Sequence, residues 1–249
     1  MNQKTVLITG GTKGLGKKIA EIFLKNNYKI VLAARNIYDC NFPKENFKFI
    51  QTDVTRILEI EKAVKETIEW TGSLDVLLNN AGYSEWKELS NIDELFWDNM
   101  ISTNLKSVLF ASKFAFKVMK SNTSIINISS LAGKRGSSNN SVYCATKFGV
   151  NGLTQALAKE LGVKGIRVNA VCPVYLRTEG LESALSETQS PSKGQNINDF
   201  LSDFTKTQTA LGVLPTEEQV ANTCLFLASD LAGAITGQCI NVDCGVMPQ

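Results

Sequence analysis

Thr5-Val6-Leu7-Ile8-Thr9-Gly10-Gly11-Thr12-Lys13-Gly14-Leu15-Gly16 is the stretch on which the fold turns. Its first five residues form an apolar, β-branched run, the composition of a buried strand. The glycines that follow make a turn, and Ile19, Ala20, Ile22, Phe23 and Leu24 then recur at helix spacing. Strand, glycine turn and helix in that order aim backbone N–H groups and a helix N-terminus at one spot, an arrangement suited to a phosphate. The loop is Gly-x-x-x-Gly-x-Gly rather than Gly-x-Gly-x-x-Gly. At a first strand–helix turn it predicts a dinucleotide pyrophosphate lying over Gly10, Thr12, Lys13, Gly14, Leu15 and Gly16. A glycine turn of purely steric origin is the competing reading.

Working outward, the alternation continues to the end of the chain. Strands are expected at 29–34, 47–51, 74–78, 124–128, 167–171 and 239–242, and helices at 56–70, 95–120, 141–161 and 217–228, with two weaker helices between 178 and 210. Strands alternating with helices imply an α/β domain, a parallel sheet covered on both faces. No linker, repeat or low-complexity tract interrupts the pattern, so one domain is expected over 1–249. The stretch from Glu182 to Thr209 differs in texture, being rich in Ser, Thr, Gln and Asn. Within a compact domain such a segment reads as a lid, here at about 178–210, or else as a solvated excursion.

Composition narrows the chemistry. The chain has 249 residues, 43% apolar and 20% charged, enough for one large core. A net charge of +2 without a basic cluster makes no case for nucleic acid or an anionic membrane. The Met1 segment lacks an apolar signal core, so a cytoplasmic protein is expected. Six scattered cysteines without a Cys-x-x-Cys pair then read as reduced thiols. The chain contains no histidine, which excludes Ser-His-Asp and Cys-His mechanisms and argues against a metal site. An acid or base must come from Tyr, Lys, Asp, Glu or Cys.

Tyr143 and Lys147 supply such a pair. They lie four residues apart on one face of the helix that follows Ser129 and Ser130. An ammonium beside a phenol is expected to lower the phenol's pKa, and a tyrosine so tuned exchanges a proton with an alcohol or a carbonyl. Two ordinary helix residues are the plain alternative. At the end of the second strand, Leu32-Ala33-Ala34-Arg35-Asn36 lacks the acid that would accept bonds from the ribose of NAD. Arg35 and Lys13 instead suit a 2′-phosphate, so NADP(H) is expected over NAD(H).

Thr9-Gly10 to Gly16, Asn79-Asn80-Ala81-Gly82, Ser129-Ser130 and Tyr143-x-x-x-Lys147 together resemble the short-chain dehydrogenase/reductase family. The match runs in order over nearly the whole chain, and 3-oxoacyl-acyl-carrier-protein-reductase-like members are the most similar. The resemblance implies a single Rossmann-type doubly wound domain with a mostly parallel seven-stranded sheet. It implies that Tyr143 is the general acid in carbonyl reduction and the base in alcohol oxidation. Lys147 would hold the nicotinamide ribose, and Ser130, thirteen residues before the tyrosine, would hydrogen-bond the substrate oxygen. Asn104 resembles a fourth member that supports a water relay to the lysine. Asp53-Val54 resembles the pair at the adenine ring, Asn80-Ala81-Gly82 the wall beneath the adenosine ribose, and Thr178 the residue at the nicotinamide carboxamide. The family's Pro-Gly is here Pro173-Val174, which would narrow the nicotinamide pocket or re-aim the next loop. Cys244 stands where a second glycine is common.

The implied activity is reduction of a ketone to a secondary alcohol with NAD(P)H. The alternatives are an NAD-dependent alcohol dehydrogenase running oxidatively and a dinucleotide-binding scaffold without turnover. The polar lid points to a hydroxyl-rich substrate such as a sugar or sugar nucleotide, with a 3-oxoacyl substrate the other possibility. The resemblance also implies a homotetramer, or else a homodimer, paired through the helices at 95–120 and 141–161.

Overall fold

A computed structural model describes residues 3–38 and 40–248, so Met1, Asn2, Asp39 and Gln249 of the expected domain lie outside the described residues. The strands are β1 (Thr5–Thr9), β2 (Lys29–Ala34), β3 (Phe47–Gln51), β4 (Val76–Asn79), β5 (Thr123–Ile128), β6 (Ile166–Pro173) and β7 (Cys239–Val242). They form one sheet in the order β3-β2-β1-β4-β5-β6-β7, and every pairing is parallel. The direction of build-up reverses between β1 and β4. The carboxyl ends of those two strands therefore open a crevice, where ligands of doubly wound sheets bind.

The helices are α1 (Gly14–Lys25), α2 (Ile57–Thr71), α3 (Glu94–Ile101), α4 (Ser107–Ala115), α5 (Ser141–Gly162), α6 (Glu179–Leu185), α7 (Ile197–Gln208) and α8 (Glu217–Ala228). Consecutive residues of β1 show how both faces of the sheet are covered. Val6 and Ile8 meet Ile19 and Phe23 of α1 and Val220 and Leu227 of α8. Leu7 faces the other way, toward Ile60 and Val64 of α2, Ala111 and Phe114 of α4, and Leu161 of α5. Strands buried on both sides need apolar residues at every position, which is why β1 reads as a continuous run rather than an alternation.

Three sequence expectations change here. The strand expected at 74–78 is Val76–Asn79; Asp75 just ahead of it still donates its N–H to the Thr5 carbonyl and accepts the Ser124 N–H, both at 3.0 Å, while its carboxylate accepts the Thr5 N–H at 2.7 Å. The single helix expected at 95–120 is three segments. Between α3 and α4 runs a π-helical stretch, Ser102–Lys106, and α4 ends at Ala115, whose carbonyl accepts the N–H groups of Val118 and Met119 in a closing turn. A π-helical turn accommodates an extra residue and turns one side chain away from the α-helical track.

The third change concerns the lid. Its two helices, α6 and α7, form where expected, and most of its polar residues are exposed, but Ser190 and Ser192 are buried and donate to the Leu185 carbonyl. Leu185 and Leu201 are buried beneath the lid against Trp86, and Tyr175, Leu181 and Phe200 pack around them. Tyr175 meets Phe204 edge-on at 4.9 Å. The Ser- and Asn-rich composition therefore describes mainly the exposed surface, and an aromatic and apolar cluster packs beneath the helices. The lid is also tied to the loops on either side: Gln189 accepts the Glu88 N–H at 2.9 Å, and its carbonyl accepts from Asn139 Nδ2 at 3.1 Å.

Candidate active site

The site grows from the glycine loop at the end of β1. Gly10 has φ +66°, and a Cβ there would lie 2.9 Å from the Ala81 Cα. A Cβ on Gly16 would collide with the Gly10 carbonyl oxygen and come within 2.6 Å of Asn80 Nδ2. Asn80 Nδ2 donates to the carbonyls of Thr9 at 3.1 Å and Gly10 at 2.9 Å, while Thr9 Oγ1 accepts the backbone N–H groups of Asn80 and Ala81. The cradle is thus backbone packed on backbone. Lys13, at the N-cap of α1, makes no side-chain cap bond, and the first turn carries no acidic residue. The first-turn N–H groups, with Gly14 and Leu15 among them, have no side-chain cap, as a pyrophosphate site requires.

The neighbouring residues follow the same crevice. Thr12 Oγ1 donates to the Asn36 carbonyl at 2.9 Å, fastening the loop to the end of β2. Arg35 is exposed there, and Lys13 Nζ lies 5.6 Å from the Tyr38 ring centroid. Asp53 follows β3 with Val54. Burial works to raise the Asp53 pKa, but hydrogen bonds from Thr55 and the charges of Arg35 and Arg56 outweigh it and hold the carboxyl below its usual range. Past β6, the Val174 N–H donates to the Val242 carbonyl at 3.4 Å, and Thr178 caps α6 by accepting the Leu181 N–H. Val174 therefore continues the β6–β7 contact that Pro173 ends as a strand. Cys244 has φ +54°, the left-handed conformation that favours glycine.

Tyr143 and Lys147 lie on α5, and Ser130 starts the short turn after β5. That turn is pressed onto α5, since a Cβ on Gly133 would lie 2.6 Å from the Lys147 carbonyl oxygen. Ser129 Oγ donates to the same carbonyl at 3.3 Å, which makes it a fastener of α5. Asn104 projects inward from the π-helical stretch and is 1% exposed. Its Oδ1 accepts the Tyr83 N–H at 3.0 Å and its Nδ2 donates to the Tyr83 carbonyl at 2.8 Å. A Cβ on Gly82 would stand 3.0 Å from Asn104 Oδ1 and 3.7 Å from Lys147 Nζ, so three of the expected motifs meet at one point.

The electrostatics reverse one expectation. Tyr143 keeps partial exposure, yet the protein is dense around its phenol, and burial pushes the pKa up to about 12. The Ser130 hydroxyl, its hydrogen-bonding neighbour, pulls the other way and is outweighed. Burial likewise brings Lys147 down to about 8. Lys147 Nζ lies 5.6 Å from the Tyr143 ring centroid and donates to the Ile128 carbonyl at 2.9 Å. Desolvation of the phenol therefore exceeds the expected help from the amine. Sequence reasoning gave no role to the fasteners Thr9, Ile128 and Gly133: Ile128 acts through its carbonyl and Gly133 through its missing side chain, and the Thr9 hydroxyl bonds the backbone at Asn80 and Ala81, 71 and 72 residues away.

The cradle, the uncapped helix start and the Ser–Tyr–Lys–Asn cluster fit a nicotinamide dinucleotide beside a carbonyl or alcohol. Comparison with known proteins agrees. The family model described as enoyl-(acyl carrier protein) reductase matches residues 10–247. The 3-oxoacyl-acyl-carrier-protein reductase FabG of Staphylococcus aureus is 35% identical over 253 residues, covering 98% of each chain. The aldohexose dehydrogenase of Thermoplasma acidophilum aligns with a TM-score of 0.88 at 29% identity, covering 100% of this chain and 98% of its own. A glucose/ribitol dehydrogenase from Brucella melitensis gives a TM-score of 0.87 at 29% identity, with the same coverage.

The buried amine gives a testable pH dependence. Its folded pKa of about 8 lies below the ordinary lysine value of 10.5. Between the two, the unfolded chain holds a proton that the native state does not, so stability rises with pH through that window. Tyr143 acts in the opposite sense only above its ordinary value of 10.0. Relative to Lys147→Met, the wild type should gain about 2 kcal/mol between roughly pH 8 and pH 10. Urea unfolding at each pH measures this, and parallel profiles for the two proteins would rule out the depressed amine.

Proposed function

The chain belongs to the short-chain dehydrogenase/reductase family, and on that premise we propose that it is an NADPH-preferring ketone reductase worked by Ser130, Tyr143 and Lys147. It is an oxidoreductase of the class acting on C=O and CH–OH groups. The name of the Staphylococcus aureus relative, a reductase, supports the direction, and the raised pKa of Tyr143 agrees with it. At neutral pH the phenol is protonated, the form that a proton donor to a carbonyl needs.

Gly10 to Gly16, Asp53-Val54, Asn80 to Gly82, Pro173-Val174 and Thr178 would hold the dinucleotide, with Lys147 on the nicotinamide ribose. Bound there, the nicotinamide supplies a hydride for the carbonyl carbon. Tyr143 gives its phenolic proton to the carbonyl oxygen. Ser130 donates a hydrogen bond to that oxygen as negative charge builds on it. Lys147, with its pKa near 8, stands one helix turn away and returns a proton toward the phenol. Asn104 keeps the Tyr83 backbone in line close to Lys147, and the family resemblance gives it the support of a water relay. Tyr143→Phe should cut turnover roughly 10²- to 10⁴-fold against a carbonyl panel while NADPH still binds. Equal turnover by the two proteins would sink the assignment.

For the substrate, the apolar character of the cluster beneath the lid supports a ketone with an apolar body, of the 3-oxoacyl type, over a sugar. The name of the Staphylococcus aureus relative points the same way, and those of the two sugar dehydrogenases the other. Assay of 3-oxoacyl thioesters beside aldoses decides between them. The NADP preference rests on Arg35 just past β2 and Lys13 at the N-cap of α1. Arg35→Ala should weaken NADPH about tenfold or more, the order of one charge-assisted pair, and leave NADH nearly unchanged. Loss of both cofactors alike would contradict a 2′-phosphate contact.

We also propose a homotetramer, or failing that a homodimer, in the cytoplasm. Buried thiols at Cys144, Cys172 and Cys224 suit a reducing compartment. Between α4 and α5 lies a mainly apolar groove of about 400 Å³, lined by Leu109, Phe110, Phe116 and Leu157 and edged by the charged Lys113 and Glu160. Light scattering should give a mass of four or two chains, and a monomer would contradict both.

A further inference from the structure

Glu217 opens α8 at the same end of the sheet as the first turn of α1. A Cβ on Gly14 would lie 3.7 Å from Glu217 Oε1 and 3.9 Å from Thr178 Cγ2. The carboxylate thus stands where the pyrophosphate loop, the start of the lid and α8 converge. Its Oε1 is buried and has no hydrogen-bond partner. Glu217 is not the cap of its own helix, because Thr216 and Gln219 form a reciprocal capping box there. It lies instead against the start of a neighbouring helix that has neither a side-chain cap nor an acid of its own in the first turn.

The surrounding charges are few. From α1 come Lys18 and Glu21, which pair with one another at 2.6 Å. From α8 comes Glu218, and from the lid Thr178 offers a methyl group, flanked by the exposed Arg177 and Glu179. Lys13, beside Gly14, has its ammonium over Tyr38.

We propose that Glu217 makes dinucleotide binding proton-linked, taking up a proton as a pyrophosphate arrives at the start of α1. In the empty protein the carboxylate is the anion at that helix end, where the backbone dipoles favour negative charge. An incoming diphosphate brings its negative charge to the same corner. Two like charges in one desolvated corner raise the pKa of the weaker acid, and the carboxyl accepts a proton. The free-state balance prepares this: burial raises the Glu217 pKa above 4.5, Lys18 lowers it and Glu21 raises it. The proposal rests on the reading that Gly10 to Gly16 binds a dinucleotide.

Calorimetric titration of NADPH and NADH into wild type, Glu217→Gln and Glu217→Ala tests it, run from about pH 5.5 to 8.5 in two buffers of different ionisation heat. The 2′-phosphate of NADPH titrates near pH 6 in every protein, so only the difference between proteins reports Glu217. The wild type should take up protons on binding either cofactor, and neither variant should do so at this site. Relative to the variants, its affinity should fall by about tenfold as the pH rises, the effect of one pKa unit. Because Glu217→Ala removes the side chain altogether, it gives the same reading if the glutamine variant does not fold. Identical pH profiles with no buffer-dependent heat would overturn the proton linkage alone. Binding of neither cofactor by any of the three would overturn the dinucleotide reading, and the linkage with it.

Discussion

The Asn80 side-chain amide, bonded to the carbonyls of Thr9 and Gly10, is the tie on which the site depends. It joins the carboxyl ends of β1 and β4 where the sheet reverses its order of build-up. With Thr9 Oγ1 accepting two N–H groups in return, the two strand ends are locked by four hydrogen bonds. The space left is so tight that neither Gly10 nor Gly16 has room for a Cβ. The glycines are therefore needed for close approach of backbone to backbone, and the anion-binding shape of the loop follows from that approach. Gly82, two residues beyond Asn80, carries the same order toward the Ser130, Tyr143 and Lys147 cluster, because Asn104 and Lys147 are both registered against it.

Around this tie the protein keeps two ionisable groups in an environment that favours their neutral forms. Lys147 and Tyr143 are shifted in opposite directions by one cause, burial, so each is held uncharged over a wider pH range than in water. A neutral phenol beside an amine that titrates near neutrality is a poised proton store. The cost of burying Lys147 is partly offset by its bond to the Ile128 carbonyl at 2.9 Å.

Much of this was legible in the sequence, for a physical reason. Burial on both faces of the sheet favours continuous apolar runs, and these mark β1 and β2, while β5 is marked by Ile125, Ile126 and Ile128 around a buried Asn127. The glycine loop and the Tyr143–Lys147 spacing are local features, so their positions on turn and helix could be read directly. What was not legible depends on tertiary surroundings. A composition rich in Ser and Asn cannot reveal that Leu185, Leu201 and Phe200 face inward, so the lid looked polar. A mid-helix asparagine looks solvent-facing until the π-helical stretch turns Asn104 into the core. The sign of the Tyr143 shift is a contest between a neighbour four residues away and the packing of the whole domain, and spacing reports only the neighbour.

The π-helical stretch Ser102–Lys106 has a geometric consequence of its own. Each residue of an α-helix advances the azimuth by about 100°, so an extra residue absorbed within one turn resets the phase of everything after it. It works as a phase shifter between α3 and α4. The azimuth at which Asn104 reaches the Tyr83 backbone and the azimuth at which Ala111 and Phe114 meet the sheet are thereby decoupled. A single-residue deletion there would restore an unbroken helix only by rotating one of those faces out of contact. Chain length in this short stretch is for that reason held as tightly as any side chain in the site.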